Sequence, residues 1–322
     1  MMARTLNSST QLLIEESQRR QIEAVFFKDI DPSTVLLEYQ NHRELIYFSR
    51  TDRQGSVINK VLENKMLTTA LLRHGGFNVP SEIQTDDVAV AEQFLEKHSK
   101  VVVKPLGNTG GAGITTGITT REELAPAFER ALNNSNIKEE QQRAIVQEHV
   151  EGEDCRVLVV DQQHLFGIQR IPAHVTGNGQ HSVQELVNAW NDTRKVECRI
   201  KLGEETQELL TKQNLTLDSI PAPGQHVTLA YVSNYHAGGQ LRDVTDLLGE
   251  EVRRVALEMA RYFGIGIVGI DFLSPDITQS AGVVIELNGT PDITIHHQPD
   301  EGESRNVAGC VIDMLFPETT QH

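Results

Sequence analysis

The sequence predicts an α+β protein with mostly antiparallel sheets, and two observations support this fold class. Helical segments are interspersed with short β-branched and aromatic runs that lie close enough in sequence to pair as hairpins. The opening part contains no GxGxxG fingerprint, which argues against a complete nucleotide-binding fold there. At 322 residues the chain can build a large core and two or three subdomains.

Composition excludes several classes of partner. The formal net charge is −16 and there is no long basic run, so we expect no nucleic acid and no anionic membrane as a partner. The cysteines Cys155, Cys198 and Cys310 are far apart and form no CxxC pair, which favours reduced thiols in the cytoplasm. No apolar run reaches membrane-spanning length, and the N-terminus has no signal-peptide core.

The first helix is predicted from cap-type residues followed by helical apolar spacing in SSTQLLIEESQRRQ. Short strands follow in EAVFFKD, TVLLEYQ and LIYFSR, and the last two are joined by a hairpin turn at Asn41-His42. We interpret residues 1–58 as a small cap subdomain. The next segment, NKVLENKMLTTALLRHGGFNVP, predicts one helix with Lys65 inside it. A lysine on a helix is usually a solvated surface charge.

A glycine-rich segment follows a β-branched strand that ends at Pro105. The strand is VVVKP, and residues 107–113 contain four glycines. Glycine permits positive φ and close backbone approach, so successive N–H groups in such a loop can surround phosphate oxygens. Lys104, at the end of the strand, can add a positive charge. The alternative is a flexible hairpin loop, since the segment is not a Walker A motif.

The sequence in the middle of the chain predicts strands with polar residues at their ends. AIVQEHV is a strand whose edge could offer backbone groups to a flat base. Asp154 and Arg156 lie two apart on the next strand and share a face, and Arg170 lies at the end of another. Trp190 is interpreted as core or interface filler. His174 is interpreted as a loop group rather than a metal ligand, because no HExxH spacing accompanies it.

Two strand-like runs near the end, GIVGIDFLS and GVVIELNGTP, predict an antiparallel hairpin. Glu286 and Asn288 are two apart and point the same way, and the pairing lets Asp271 reach the same face. Two carboxylates and an amide carbonyl suit Mg²⁺. The alternative is a buried hairpin with polar ends.

In this order, the segments resemble the ATP-grasp superfamily of carboxylate–amine ligases, and most of all the ATP-grasp module of bifunctional glutathione synthetases and of cyanophycin synthetases. The motifs that carry the resemblance, over nearly the whole chain, are STQLLIEESQRR, ENKMLTTALLRHGGFNVP, VVVKPLGNTGGAGI, RIPAHVTGNGQHSVQELV, LDSIPAPGQ, the GG and DVTD of YHAGGQLRDVTD, VGIDFLSPDI, VIELNGTPDITIHHQP and SRNVAGCVIDMLFP. It implies the ATP-grasp fold, with two α+β subdomains that sandwich ATP. The expected boundaries are a cap at 1–58, a nucleotide-binding subdomain with the glycine-rich lid at 59–150, and a subdomain with magnesium and substrate sites at 151–322.

The resemblance implies roles for the matching positions. The residues implied to bind phosphates, the lid, adenine and ribose of ATP are Lys65, Lys104, Gly107, Asn108, Gly110, Gly111, Gly113, Gln147, Glu148, Val150 and Asp154. The implied magnesium ligands are Asp271, Glu286 and Asn288. The implied catalytic side chains are Lys104, Arg156 and Arg170. The implied substrate positions are Arg170, His174, Tyr235, His236, Gly238 and Gly239. For each lysine and arginine, a surface ion pair is the alternative.

The implied reaction is ADP-forming ligation. A substrate carboxylate attacks the γ-phosphate of ATP, and an amine then displaces phosphate from the acyl phosphate to give an amide. Such phosphoryl transfer needs positioning and charge neutralisation, and no Ser/His/Asp triad is required. The implied cofactors are ATP and Mg²⁺, with Mn²⁺ as a substitute. Relatives of this kind are commonly homodimers or tetramers, so we expect a homo-oligomer.

The substrate loop departs from the pattern. The glutathione-type and cyanophycin-type modules carry a stretch such as NSNISTGG or ANLSTGG, whereas here it is AYVSNYHAGG, with Ala230 where an arginine is expected. We expect neither a glutamate–cysteine ligase module in front of this segment nor a Mur-ligase-like module behind it. We therefore favour ligation of two amino acids, or of an amino acid and a short peptide. The alternatives are ligation of γ-glutamylcysteine with glycine, a non-catalytic ATP-binding regulator, and a small-molecule kinase.

Overall fold

The computed structural model describes residues 6–27, 30–106, 113–134, 143–231, 233, 235 and 238–320. The α-helices of these residues are α1 (Ser8–Arg19), α2 (Ser56–Leu62), α3 (Lys65–His74), α4 (Val88–His98), α5 (Arg121–Asn133), α6 (Val183–Asp192), α7 (Glu204–Lys212), α8 (Glu250–Phe263), α9 (Thr294–His297) and α10 (Val307–Leu315). The strands are β1 (Glu23–Phe27), β2 (Asp31–Tyr39), β3 (His42–Tyr47), β4 (Arg50–Thr51), β5 (Glu82–Thr85), β6 (Val101–Pro105), β7 (Thr115–Ile118), β8 (Ala144–Glu148), β9 (Glu153–Val160), β10 (His164–Ile171), β11 (His174–Thr176), β12 (His226–Thr228), β13 (Gln240–Asp243), β14 (Ile267–Ser274) and β15 (Val283–Asn288). Helices mixed with antiparallel strand pairs confirm the predicted α+β class.

The chain folds into two compact units, each built from separate stretches of sequence. The first unit contains Met1–Val79, Gly152–Gln169 and Leu241–His322. The second unit contains Pro80–Glu151 and Arg170–Gln240. The division into a cap, a nucleotide-binding subdomain and a substrate subdomain stays a prediction.

Two sheets form the framework of the first unit. One has the order β1-β2-β3-β4, with each strand antiparallel to the next. The other has the order β13-β10-β9-β14-β15, so β14 is hydrogen-bonded on both sides. A strand that is held on both edges cannot slip in register without losing both ladders. The polar side chains of β9 and β14 are therefore held in a defined order.

The five-stranded sheet is buried on both faces. Val157 and Val159 of β9 pack with α3 and α8 in one apolar core. The alternate residues Leu158 and Val160 pack with α1, α10 and the first sheet in another core. This period-2 division follows from the strand pleat. Phe272 of β14 is fully buried, and burial of a side chain of this size stabilises the fold by roughly 1.5–3 kcal/mol.

The second unit contains two smaller sheets with separate cores. The sheet with the order β5-β8-β6-β7 packs against α4 and α5 through buried apolar residues such as Phe94, Leu124 and Val146. The β11–β12 ribbon packs against α6 and α7 through residues such as Val187 and Leu210. Helix α6 begins with a capping box, because the residues at its N-cap and third helical positions bond each other's backbone N–H groups.

One helix prediction is wrong. The segment that was expected to form a single helix is divided into α2 and α3, which are separated by Glu63 and Asn64. The Asn64 side chain accepts a hydrogen bond from the backbone N–H of Leu67 at 3.1 Å, so Asn64 is the N-cap of a new helix. Lys65 is consequently the first residue of α3 and not an interior residue.

Membrane-crossing helices are absent from the described part of the chain. None of the helices in that part combines the length and the apolar character needed to span a bilayer.

Candidate functional site

The predicted hairpin is confirmed, and it aligns the three proposed magnesium ligands. Asp271 on β14 is the direct cross-strand partner of Glu286 on β15, and Gly269 is the partner of Asn288. Cross-strand partners and residues two apart lie on one face, so the three oxygen-bearing side chains share a face. A register shift follows Asp271, and such a bulge bends the strand locally.

Asp271 is held by Arg156, which the resemblance implied to be catalytic. The Nε and Nη2 atoms of Arg156 donate to the two carboxylate oxygens of Asp271, and the second of these bonds is 3.0 Å long. Both side chains are more than 90% buried. A Cβ at Gly269 would lie 3.0 Å from the Cδ and Nη1 atoms of Arg156, so the glycine leaves room for the guanidinium. A residue predicted to bind the metal and a residue predicted to be catalytic therefore form one ion pair.

Glu286 is paired with Lys65 across an opening at the surface. The Lys65 Nζ lies 3.3 Å from the Glu286 Oε1, and both side chains are about one third exposed. A positive charge at a helix N-terminus is disfavoured by the unpaired N–H groups there. The Glu286 carboxylate compensates for the charge of Lys65 at this position, and the assignment of Lys65 to the phosphates stays a prediction. The residues that line a small cleft with this pair are Leu62, Thr68, Thr69, Leu72, Ile285 and Leu287.

The donor set of the hairpin suits magnesium. Asp271, Glu286 and Asn288 supply two carboxylates and an amide carbonyl, and Mg²⁺ usually takes few protein oxygens and completes its shell with phosphate and water. In the residues that the structure describes, no group of three or more histidine, cysteine, aspartate and glutamate side chains is assembled for a metal. A magnesium site in the hairpin therefore depends on the Asn288 amide and on ligands from outside the protein.

His296 is a buried residue that the sequence analysis did not single out. It lies on α9, is fully buried, and neither ring nitrogen has a hydrogen-bond partner among the described residues. Burial lowers the pKa of His296 to about 3, and the nearby Arg156 guanidinium also lowers it. The ring is therefore neutral. The only signal in the sequence was its place inside the motif VIELNGTPDITIHHQP.

In the second unit, Lys104 is held by a short chain of hydrogen bonds. Its Nζ donates to the Oε1 of Gln147 at 2.5 Å, and the Nε2 of Gln147 donates to the Oε2 of Glu82 at 2.8 Å. Gln147 lies on the central strand β8, between Glu82 on β5 and Val102 on β6, and is 4% exposed. Two predicted ATP-binding residues are thus in contact. Glu82 was not predicted, because only the strand register brings it to Gln147.

The other proposed ATP-binding positions of this unit differ in their surroundings. The Oε2 of Glu148 accepts from the backbone N–H of Ser81 at 3.2 Å, and Val150 is half-buried beyond the end of β8. Gly113 has φ of +78°, which favours glycine, at the end of the glycine-rich segment. The positions that lie outside the described residues are Gly107, Asn108, Gly110 and Gly111.

Arg170 lies near a strand end, as predicted, and Asp154 lies on the same strand as Arg156, as predicted. Asp154 is the second residue of β9, two residues before Arg156. Its cross-strand partner is Leu273 on β14, whereas the partner of Arg156 is Asp271. Arg170 is the penultimate residue of β10 and is half-buried. Their assignments to ribose and to substrate stay predictions.

The proposed substrate positions cluster around the β11–β12 ribbon and the loop that precedes β13. His174 begins β11, and its ring stacks on that of His226 with centroids 4.2 Å apart. Burial lowers the pKa of His226, and so does the charge of the neighbouring His174. Tyr235 is half-buried, while Gly238 and Gly239 are buried. His236 lies outside the described residues.

Comparison with known proteins agrees with the resemblance. The family model described as "Prokaryotic glutathione synthetase, ATP-grasp domain" matches residues 64–217. The chain is 34% identical over 329 residues to the glutathione biosynthesis bifunctional protein GshAB of Pasteurella multocida, and 32% identical over 326 residues to a cyanophycin synthetase of Crocosphaera subtropica. The crystal structure of a bifunctional glutathione synthetase from Pasteurella multocida is similar with a TM-score of 0.71 at 32% identity.

These similarities cover nearly all of this chain and less than half of each relative. The aligned part is 96% of this chain and 42% of the GshAB protein, 97% and 37% for the cyanophycin synthetase, and 96% and 43% for the solved structure. ATP-grasp ligases use ATP and Mg²⁺, which agrees with the oxygen donors of the hairpin. The chain is therefore an ATP-grasp protein, related to the ATP-grasp domain of prokaryotic glutathione synthetases.

Proposed function

We propose that this protein is an ADP-forming ligase that joins the carboxylate of an amino acid or short peptide to the amine of another amino acid through an acyl phosphate. The observation that supports it most is the pairing of Asp271 with Glu286 across the hairpin, with a cation on each carboxylate. The site thus offers acidic oxygens for a metal–phosphate complex and basic groups for phosphate and carboxylate. Membership in the ATP-grasp group supports the same chemistry.

In the first step, a carboxylate oxygen of the substrate attacks the γ-phosphorus of ATP, and the bond to the β-phosphate oxygen breaks to release ADP. Lys65 and Lys104 would bind phosphate oxygens, while Arg156 and Arg170 would orient the carboxylate, since a guanidinium can bind both of its oxygens. Magnesium held by Asp271, Glu286 and Asn288 would supply neutralisation of phosphate charge. The hydrogen bond from Lys104 to Gln147 fixes its ammonium group before ATP binds.

In the second step, the amine nitrogen attacks the acyl carbon, inorganic phosphate leaves, and the nitrogen loses a proton to give the amide. An acyl phosphate hydrolyses readily in water, so the site has to be covered while the intermediate is present. The glycine-rich segment at 107–113 is the proposed cover. Gly113 permits the turn at its end because of its positive φ.

The substrates are proposed from the loop that departs from the relatives. AYVSNYHAGG is bulkier than the loops of the glutathione-type and cyanophycin-type modules. Ala230, at the position of the expected arginine, is buried in an apolar core of the second unit. A buried alanine cannot bind a substrate carboxylate, so we propose that the protein selects a different acid from that of either group.

A matrix assay tests the ligase proposal directly. The protein is incubated with ATP, Mg²⁺ and each pair from a panel of amino acids and dipeptides, and ADP, AMP and product mass are measured. We expect ADP with one or a few pairs, and a hydroxamate when hydroxylamine replaces the amine. AMP with pyrophosphate would contradict the proposal. ATP binding without turnover would indicate a regulator, and a stable phosphorylated acid without need for an amine would indicate a kinase.

A second candidate is ligation of γ-glutamylcysteine with glycine. The family model and the name of the Pasteurella relative favour it. The matrix assay includes γ-glutamylcysteine with glycine as one substrate pair. Glutathione as the preferred product would favour the second candidate function over the first.

We also propose that the protein is a homo-oligomer, as the resemblance implies. Light scattering coupled to size-exclusion chromatography measures this directly, and a mass of 35.9 kDa at micromolar concentration would contradict it.

A further inference from the structure

The loop that carries the proposed substrate residues is anchored at its start to α7. The backbone N–H of Tyr231 donates to the Oε1 of Glu205 at 2.9 Å. The Nζ of Lys212 lies 2.7 Å from the Tyr231 hydroxyl oxygen. Both partners belong to one helix, so Tyr231, the second residue of the loop, is fixed relative to α7.

At its other end, the same loop is anchored next to α6 by a single guanidinium. The Cζ of Arg194 lies 4.6 Å from the ring centroid of Trp190 and 5.2 Å from that of Tyr235. The Nη1 of Arg194 donates to the carbonyl oxygen of Gly239 at 2.8 Å. Arg194 therefore contacts a helix residue, a proposed substrate residue and the glycine pair at once.

The glycine pair has little freedom to move independently of this anchor. Gly238 has φ of +90°, and a Cβ there would lie 2.5 Å from the Cγ1 of Ile200. The backbone of Ile200 is in turn bonded twice by the Asn191 side chain, at 2.8 and 3.0 Å. The end of α6 thus fixes both the segment under the glycine pair and, through Arg194, the pair itself.

We propose that Arg194 is a positioning residue that sets the substrate preference of the ligase by fixing the end of this loop between Trp190 and Tyr235. The inference rests on the proposed ligase function, because the loop acts on preference only if it borders the substrate. Arg194 acts through Tyr235 and Gly239 and takes no part in the phosphoryl transfer. A guanidinium suits this task since it can stack on two aromatic rings and still donate in its own plane.

Trp190 makes the anchor measurable without any substrate. It is the single tryptophan of the chain, so intrinsic fluorescence excited at the red edge of the indole band reports on its surroundings alone. In Arg194→Ala we expect an emission shift to longer wavelength and stronger quenching by acrylamide, with unchanged far-UV circular dichroism. Arg194→Lys retains the charge but loses the planar group, so its emission wavelength and quenching should lie between those of the parent and of Arg194→Ala. Lys195→Ala, at the exposed neighbouring position, should behave as the parent.

The deciding experiment measures ADP release with each proteinogenic amino acid and γ-glutamylcysteine as the acid and hydroxylamine as the common amine. For Arg194→Ala we expect the KM of the preferred acid to rise about tenfold, the range of one lost cation–π anchor, while the KM of ATP is unchanged. Arg194→Lys should restore part of the acid KM.

Three results would overturn the proposal, and each has a different implication for the ligase function. An unchanged acid preference in an active Arg194→Ala variant would refute the positioning role and leave the ligase function intact. A parallel change in the KM of acid and of ATP would show a general structural effect in place of loop positioning. Failure of the parent protein to release ADP with any acid would refute the ligase function, and the positioning role with it.

Discussion

The two carboxylates of the hairpin face each other across a strand pair but experience different surroundings. Asp271 is buried and bound at two points by Arg156, whereas Glu286 is partly exposed and has one lysine contact. Removal of a buried partner leaves an uncompensated charge, which is costly, whereas a partly exposed pair contributes little to stability. Glu286 is therefore the residue at which function can be separated from folding.

We predict that Glu286→Gln lowers kcat about 100-fold or more and changes the free energy of unfolding by about 1 kcal/mol or less. The amide keeps the shape of the side chain but loses the charge that suits a metal. Steady-state kinetics and urea unfolding measure the two quantities. Glu258→Gln, in an exposed pair on α8, serves as the control and should leave kcat unchanged. A large loss of stability in Glu286→Gln would show that the residue is structural.

At Gln147, we predict that substitution by methionine weakens ATP binding about tenfold, because a hydrogen bond to a charged group typically contributes about 1.5 kcal/mol or more. Methionine has a similar volume but cannot bind the Lys104 ammonium in the same way. Titration with a non-hydrolysable ATP analogue measures the affinity. Gln207→Met, at an exposed position of α7, should bind as the parent does. Equal affinity in both variants would exclude a contribution of the Gln147–Lys104 hydrogen bond to ATP binding.

At the scale of residues, the sequence predicted which side chains have a chemical role, and these roles stay predictions, but it did not predict which of the side chains are in contact. Lys65, Asp271 and Glu286 stood out because their motifs matched a known order. The contact of Arg156 with Asp271 depends on the register of strands that are 115 residues apart. Such a register is set by the packing of both sheet faces, and no short pattern encodes it.

At the scale of elements, the division of one predicted helix into α2 and α3 determines where Lys65 lies. Apolar residues recur at helical spacing on both sides of the break, so periodicity alone predicted a single helix. The signal for the break is Asn64, whose side chain competes for the backbone as an N-cap. The hairpin of β14 and β15 was predicted correctly because its two apolar runs are joined by a short polar loop.

Loss of the Asn64 cap should affect both stability and ATP binding. We predict that Asn64→Ala destabilises the protein by about 1 kcal/mol, the usual contribution of an N-cap, and also raises the KM for ATP because the first turn of α3 carries Lys65. Differential scanning calorimetry and steady-state kinetics measure the two effects. Asp87→Ala removes the N-cap of α4 and is the matched control.

The control variant should lose a similar stability without a change in the KM for ATP. If both variants raise this KM equally, general destabilisation and not the position of Lys65 explains the effect.

At the scale of the whole molecule, the first unit ties the two ends of the sequence together. The ring of His42, at the start of β3, contacts Glu318 at 2.8 Å and Glu44 at 3.0 Å. Glu44 also binds Arg53, whose guanidinium donates to the carbonyl oxygens of Met314 and Leu315. Hydrogen bonds to Glu318 and then Glu44 raise the pKa of His42.

This arrangement predicts a pH dependence of stability. Since the folded pKa of His42 lies above the unfolded value of about 6.5, its contribution is fully present below about pH 6.5 and is lost as the pH rises through the folded pKa. Urea unfolding across that interval should show a decline in the parent that His42→Gln lacks. His74→Gln, where the histidine contacts a tyrosine, should retain the decline. The same decline in all three proteins would assign it to other groups.

The division of the chain into units was the part least accessible from sequence. Each unit is assembled from segments that are distant in the chain, such as 152–169 within the first unit and 170–240 within the second. Local patterns predict strands and helices but carry no information about which distant strand completes a sheet. The family resemblance supplied the overall fold, because a known order of motifs brings a known topology with it.

The ion pairs on Asp271 and Glu286 affect the order in which Mg²⁺ and ATP bind to the protein. Both acids already have a basic partner, so a lone divalent ion has to displace a side chain to enter, and it gains little charge compensation by doing so. A nucleotide changes this balance, since its triphosphate can replace Glu286 as the partner of Lys65 and leave the carboxylate to the metal. Calorimetric titration should therefore detect weak uptake of Mg²⁺ alone and strong uptake of the preformed Mg²⁺–ATP complex. Tight uptake of the bare ion would contradict this sequence of events.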